Sequence, residues 1–382
     1  MATNSTSWTS VQDFLQNSDQ QAIACFNQVK WDQLCRIASD ANRGLECVTL
    51  DQITSGLNNV VRQLQFSDKT RWAARIPILR SESSCPYENN LQNEIATMQF
   101  IQENSSLRIP RVFVYNTDMN NAVNAAFMLI EILPGIVAMD ALGGHKVHGG
   151  VIPVEYRKTF YRSVAECHVQ MASLRLPKIG AITRREDGGY EPGPIPGIGG
   201  PFDTAAAFFE AWADKVKFNL DKETIAQMMQ RGPVLAEEMV RITDEFPSQI
   251  RSMANLLPFR NEGPFTLCHD DFLHSNIMRA CTVPWGLVTY PEFIQVMPRA
   301  CDLPQHYDQD GHPLKESVRE KWCEQRDYVE MVKSVEGEDH LLSTSLSNNL
   351  NQALAYSYGA FTTGKLGFYD RVVTELKKGI SV

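Results

Sequence analysis

Apolar positions along this chain change period more than once, and the changes divide it into segments. From Val11 to Ala41 the residues Phe14, Leu15, Ile23, Phe26, Val29, Trp31, Leu34 and Ile37 recur at mostly helical spacing, which predicts one or two opening helices. The pattern then becomes strand-like. VTLDQITSGLNNVVRQLQF (Val48 to Phe66) alternates around SGLNN, and RWAARIPIL follows after SDK, so three strands joined by tight turns are predicted. In NNLQNEIATMQFIQEN the residues Leu91, Ile95, Met98 and Ile101 share one helical face, with Asn89 or Asn90 as N-cap. RVFVYN and AAFMLIEILPG read as two further strands, the second ending at Pro134 and Gly135.

Beyond Gly135 helical periods dominate: Val154 to Leu174, Asp203 to Asn219, and Lys222 to Leu257 with an interruption near Gly232 and Pro233. GGYEPGPIPGIGGP (Gly188 to Pro201) can be neither helix nor central strand, and reads as a surface connection or a mobile flap over a ligand. FTLC, NIMRA and WGLVTY read as strands, and the tail from Leu314 is helical to near Lys378. The order implies an α+β fold in two lobes. A helical extension occupies 1–47, a β-rich small lobe 48–134, and a mostly helical large lobe 135–382 that holds a small strand pair. The site is expected in the cleft between the lobes.

Composition narrows the partners. With 382 residues, 43% of them hydrophobic, the chain can bury a substantial core. A net charge of -9 without a long Lys/Arg run argues against a nucleic-acid footprint and leaves small molecules or proteins. The segment MATNSTSWTSVQDF lacks the basic and apolar regions of a secretory signal, and no apolar run reaches membrane-spanning length. The 9 cysteines are scattered, with no CxxC pair or zinc spacing, and read as small buried hydrophobes in a reducing cytoplasm.

Candidate chemistry concentrates in LCHDDFLHSN (Leu267 to Asn276). Phosphoryl transfer needs an acceptor for the attacking hydroxyl's proton and a metal that neutralises phosphate charge. A His-x-Asp-x-x-x-x-Asn loop supplies the acceptor and a metal ligand, and His269, Asp271 and Asn276 have that spacing, after a strand and before a strand hairpin. His145 and His148 in GGHKVHGG read as solvated loop histidines. The aromatic cluster FDTAAAFFEAW reads as core or pocket wall.

On these segments the chain resembles the aminoglycoside phosphotransferase and choline kinase-like group, and is most similar to its fungal members of specialised metabolism. LCHDDFLHSNIM resembles the catalytic loop, SGLNNVVRQLQF the phosphate-covering turn, RWAARIPI the strand with the phosphate-anchoring cation, NEIATMQFI the helix whose Glu pairs with it, and FMLIEILPG the adenine-contacting hinge. LPKIGAI and GPFDTAAAFF resemble fungal-type segments, and the similarity spans most of Thr49 to Pro304. The resemblance implies a bilobal protein kinase-like fold and transfer of phosphate from ATP, with Mg, to a hydroxyl of a small molecule.

Carried over by position, Asp271 is the catalytic base, His269 and His274 organise the loop, and Asn276 is a metal ligand. Arg75 replaces the usual Lys and pairs with Glu94; the backbone from Ser55 through Gly56 to Asn58 approaches phosphates or substrate; Met128 to Leu133, with Glu131, faces the base. Phe208, Trp212 and Tyr190 are candidate walls of the acceptor pocket. One departure is specific. Where the family has Gly-x-Ile-Asp-Trp, this chain has GLVTY, so Thr289 stands in place of the main metal carboxylate and Tyr290 in place of the aromatic residue. A neutral hydroxyl does not replace an anion at magnesium. Glu292, Asp270 or Asp302 are possible substitutes. Two readings stay open: a phosphotransferase with an altered metal site, or a kinase fold diverted to cyclase- or isomerase-type acid/base chemistry or to binding alone.

Overall fold

Alternation in the first third of the chain places different side chains on the two faces of one antiparallel sheet. The computed structural model describes residues 8–56, 58–78, 91–135, 137, 141, 147, 152–215, 221–229, 236–253, 260–269, 277–278, 281–282, 288–290, 308 and 314–362. The sheet contains β1 (Thr9–Ser10), β2 (Cys47–Ser55), β3 (Asn59–Phe66), β4 (Arg71–Pro77), β5 (Val112–Asn116) and β6 (Phe127–Glu131), in the order β1-β2-β3-β4-β6-β5. It has six strands rather than the five expected, because Thr9–Ser10 pairs with Gln52 and Ile53 over a length too short to show a period.

On one face Trp72, Ala74, Ile76, Phe127 and Leu129 pack with Phe14, Leu34 and Ala38 of three short helices, α1 (Val11–Asn17), α2 (Gln20–Gln28) and α3 (Trp31–Ala41). Two N-caps divide what reads as nearly continuous helical spacing. Ser10 accepts from the Asp13 N–H and Asp19 from the Gln21 N–H, so each helix starts afresh. The opposite face, with Ala73, Met128 and Ile130, packs against α4 (Leu91–Asn104). The expected cap at Asn89 or Asn90 lies outside the described residues.

The large lobe contains α5 (Val154–Ser173), α6 (Ala205–Ala213), α7 (Lys222–Met229), α8 (Ala236–Met253), α9 (Glu316–Val335), α10 (Leu341–Ser347) and α11 (Asn349–Thr362). The small strand pair expected here belongs to a larger sheet. β7 (Arg175–Leu176), β8 (Gly180–Arg184), β9 (Tyr190–Gly193), β10 (Phe265–Cys268) and β13 (Val288–Tyr290) run in the order β7-β10-β13-β8-β9, beside a separate hairpin of β11 (Ile277–Met278) and β12 (Cys281–Thr282). Pro177 and Lys178 separate β7 from β8, leaving segments too short for a period to register.

The Gly/Pro-rich stretch supplies β9 at the sheet edge, and its Ile195 and Ile198 are buried, so it is a packed border rather than a flap. Phe208 and Trp212 are 0% exposed, inside a cluster with Phe209, Phe246 and Tyr358. They are core side chains, which corrects the expectation that they wall an acceptor pocket. Tyr190 instead sits between the lobes, its ring centroid 5.4 Å from that of Phe100 on α4, while Arg184 Nη1 donates to Gln99 Oε1 at 2.8 Å.

Gly180 is needed where β8 meets β9, since a Cβ there would stand 2.3 Å from the Gly193 carbonyl oxygen. Gly180→Ala is therefore expected to cost about 1–3 kcal/mol through overpacking. The reading is a lowered urea midpoint at unchanged m-value; an unchanged midpoint would mean that β9 yields freely at this contact.

Candidate active site

Two periodicities converge on one ion pair. In β4, Arg75 shares the α4-facing side with Ala73 because strand side chains alternate, while Trp72, Ala74 and Ile76 face α1–α3. In α4, Glu94 precedes Met98 and Ile101 by one and two helical turns, on the stripe that faces the sheet. Arg75 Nη1 donates to Glu94 Oε1, with the two side chains 4% and 11% exposed. Burial raises the Glu94 pKa, and the Arg75 charge and hydrogen bond oppose that rise.

Beside this pair, the β2–β3 turn closes through the Gly56 N–H on the Asn59 carbonyl at 3.0 Å, and the Asn58 carbonyl accepts from the Ile78 N–H at 2.9 Å. Ser55, Gly56 and Asn58 thus stand at one end of the small-lobe sheet. A side chain not singled out in the sequence joins them. Asn59 is 3% exposed, and its Nδ2 has no hydrogen-bond partner among the described residues. A buried amide donor without an acceptor suits an anionic oxygen arriving from outside the chain. Glu131, by contrast, ends β6 and accepts from the Arg111 N–H at 3.3 Å, so its carboxylate closes the β5–β6 edge.

Below the cleft, His269 follows β10 directly and is 2% exposed. It is close enough to His168 on α5 for its charge to bear on that imidazole, and a polar chain continues from there. His168 Nδ1 lies 2.8 Å from the Tyr328 hydroxyl on α9; Tyr161 donates to Glu324 Oε2 at 2.7 Å; Arg157 Nη2 is 2.8 Å from Glu324 Oε1. Burial pushes both phenols upward, and burial followed by the His269 charge lowers His168 from 6.5 to about 3. Sequence reasoning missed this chain. Its signal was available in the spacing, since Arg157, Tyr161 and His168 fall on one face of α5, and Glu324 and Tyr328 stand one turn apart on α9.

Thr289 occupies the middle of β13, paired in regular antiparallel register with Leu267 on β10 and Gly180 on β8. Its backbone is thus one strand from the point where His269 leaves β10. Asp271, His274, Asn276 and Glu292, together with Asp270, Asp302, His145 and His148, lie outside the described residues. Among the described residues, no three or more His, Cys, Asp or Glu side chains stand together as a metal site.

The small-lobe sheet and α4 thus enclose a buried cation–carboxylate pair, and β10 of the second sheet leads directly to His269. The chain belongs to the phosphotransferase enzyme family, whose model matches residues 49–330, and its two-lobed α+β fold is kinase-like. That family transfers phosphate to small molecules. Among curated relatives, the altered inheritance of mitochondria protein 9 of Meyerozyma guilliermondii is 23% identical over 58% of this chain and 36% of that protein. The Saccharomyces cerevisiae protein of the same name is 24% identical over 38% of this chain and 23% of that protein. The chain spans about a third or less of the length of these relatives. Both are named mitochondrial, which overturns the expectation of a cytoplasmic protein.

Among solved structures, a thermostable mutant of an aminoglycoside phosphotransferase in complex with AMP-PNP and hygromycin B aligns with TM-score 0.47 and 11% identity, over 92% of this chain and 99% of that one. A macrolide 2′-phosphotransferase from Brachybacterium faecium aligns with TM-score 0.41 and 14% identity, over 90% of this chain and 98% of that one. No helix among the described residues is long and apolar enough to cross a membrane.

Two outcomes follow from the buried groups. Glu94→Ala leaves the Arg75 charge buried without its carboxylate and is expected to lower stability by about 3–5 kcal/mol. Replacing both, as Arg75→Met with Glu94→Leu, should restore most of the loss in chemical denaturation. For His168, the folded-state pKa of about 3 lies below the ordinary 6.5, so the unfolded chain binds the extra proton between those values. Stability is intact above about pH 6.5 and falls, by an order of a few kcal/mol, as pH drops toward 3. His168→Gln should flatten that dependence; an unaltered slope would assign the acid sensitivity to other groups.

Proposed function

We propose that the chain is an ATP-dependent phosphotransferase acting on a hydroxyl of a small molecule, with a metal site altered at Thr289. The observation that carries this reading is the buried Arg75–Glu94 pair beside the unpartnered Asn59 amide. Together they offer a buried guanidinium on β4 and a buried amide donor at the start of β3, next to the β2–β3 turn. Those residues fit a nucleotide's phosphates. Arg75 would hold a phosphate oxygen, Glu94 would fix the guanidinium's direction, and the Asn59 Nδ2–H would donate to a second oxygen. Asp271 would accept the proton of the acceptor hydroxyl, with His269 and His274 shaping its loop. ATP, when bound, supplies the transferable phosphoryl group. Magnesium stands differently: Asn276 and Glu292 are its proposed ligands, and Thr289 would offer it no anion.

The competing reading, a kinase fold diverted to acid/base chemistry or binding, is favoured by one observation. Thr289 sits in regular register on β13, so the position where the family carries its metal carboxylate holds a neutral residue. The phosphotransfer reading is preferred because a buried guanidinium and a buried amide donor suit a nucleotide's phosphates, and a diverted enzyme has no use for them. The relatives' names support a mitochondrial setting for this chain as well, and their yeast origin accords with a fungal protein. The resemblance to fungal specialised metabolism supports a natural-product hydroxyl as acceptor.

Calorimetric titration with ATP, with and without Mg, separates the readings. Binding is expected, and Arg75→Ala is expected to weaken it by about tenfold or more, the loss of one charge-assisted contact. Thr289→Asp is expected to raise phosphate transfer from ATP by restoring an anion at the metal position. No ATP binding by the folded wild-type chain in either condition would sink the phosphotransfer reading.

A further inference from the structure

The phosphotransfer site leaves one chemically distinct pair unused. Cys35 lies on α3 and Cys47 opens β2, and their thiols stand near enough on one cavity wall for each to bear on the other's ionisation. The chain brings them together by a tight reversal after α3, where Arg43 and Gly44 take positive φ of 59° and 78° and the Gly44 N–H donates to the Ser39 carbonyl at 2.8 Å. Both cysteines are only half-buried, and both line a surface cavity of about 430 Å³ on the side of the sheet covered by α3. Two neighbouring thiols, open to solvent, form a different object from the other cysteines. The Cys25 thiol is buried, donates to the Pro77 carbonyl at 3.5 Å and is pushed up to about 11.

We propose that Cys35 and Cys47 are an oxidisable dithiol that takes a small neutral hydroperoxide as its oxidant. The surroundings assign the roles. Cys47, the Arg62 guanidinium and the Thr49 N–H all favour a thiolate on Cys35, against burial and Asp32, while Cys47 stays protonated. The Cys35 thiolate attacks one peroxide oxygen; the O–O bond breaks, one oxygen leaves as water after taking up a proton, and Cys35 becomes a sulfenic acid. Cys47 sulfur then attacks the Cys35 sulfur, the S–O bond breaks, and the departing hydroxyl leaves as water with the Cys47 proton. In sum two thiols and one peroxide give one disulfide and two waters, the thiols being oxidised and the peroxide reduced.

The cavity wall selects the oxidant. Asp32, Asp40 and Glu46 line it against Arg36, an acidic balance that disfavours anionic glutathione disulfide and is indifferent to a neutral peroxide. A structural zinc ion does not fit, because such a site takes four ligands and no group of three candidate ligands stands together among the described residues. The bond formed would tie α3, which covers the outer face of the small-lobe sheet, to the first residue of the strand that leads to Ser55.

The experiment treats the reduced full chain with hydrogen peroxide and, separately, with glutathione disulfide, then maps tryptic peptides by mass. Peroxide is expected to link Trp31–Arg36 to Gly44–Arg62, with loss of two hydrogens and reversal by dithiothreitol. Cys47→Ser should accumulate a sulfenic acid at Cys35 that dimedone traps, and Cys35→Ser should abolish the link. In the wild type Cys35 should alkylate roughly tenfold faster than Cys47. Oxidation should raise the melting temperature of the wild type and of neither variant. The proposal is overturned if peroxide modifies the exposed Cys323 while no linked peptide forms, or if Cys35 proceeds to sulfinic acid with Cys47 still reduced. Equal or faster reaction with glutathione disulfide, leaving a mixed disulfide, would also overturn the assignment of the oxidant.

Discussion

The ion pair between Arg75 and Glu94 joins the small-lobe sheet to α4, the helix that also meets the large lobe. A guanidinium and a carboxylate removed from water are each costly alone, and each is tolerated only because the other is there. The pair therefore fixes the rotation of α4 against the sheet. α4 in turn carries Gln99 and Phe100, which meet Arg184 and Tyr190 of the β8–β9 edge, so the setting of the large lobe follows from the same interface. A small displacement of this helix would alter both the buried ion pair and the contact between lobes.

The large lobe solves a related problem with neutral groups. The segment that leads into the His-x-Asp loop starts from His269, and its neighbour His168 lies wholly inside the protein. Burial keeps that imidazole uncharged, and the phenols of Tyr161 and Tyr328 remain protonated for the same reason, so the chain of polar groups from Arg157 to His168 carries its charge at the Arg157–Glu324 end alone.

Family membership and the altered residue at position 289 pull in different directions, and geometry explains how both can stand. The groups that would hold phosphates belong to the small-lobe sheet and α4, whereas Thr289 belongs to the second sheet, between β10 and β8. Change in one sheet leaves the other intact. A site assembled from two separate sheets can lose or retune its metal position while keeping its grip on phosphate.

Much of this was legible in the chain itself, where the period was long enough to register. β3, β4, α4, β6 and α5 read correctly because five to twenty residues of alternation or helical spacing each expose one face to a core. The two-residue β1, the short β7 and the division of the opening segment into three helices did not, since caps and single turns act below the length of any period. Arg75 and Glu94 were matched by resemblance to known motifs, and each also follows from its own period. Asn59, His168 and Glu324 were not singled out, because an isolated polar residue in a sequence does not reveal whether it is buried. The sequence by itself determined the local elements and the two-lobed order. Only the tertiary structure decided which polar side chains meet away from water, that Phe208 and Trp212 are core, and that Cys35 stands near Cys47, because each depends on segments brought together by packing rather than on neighbours along the chain.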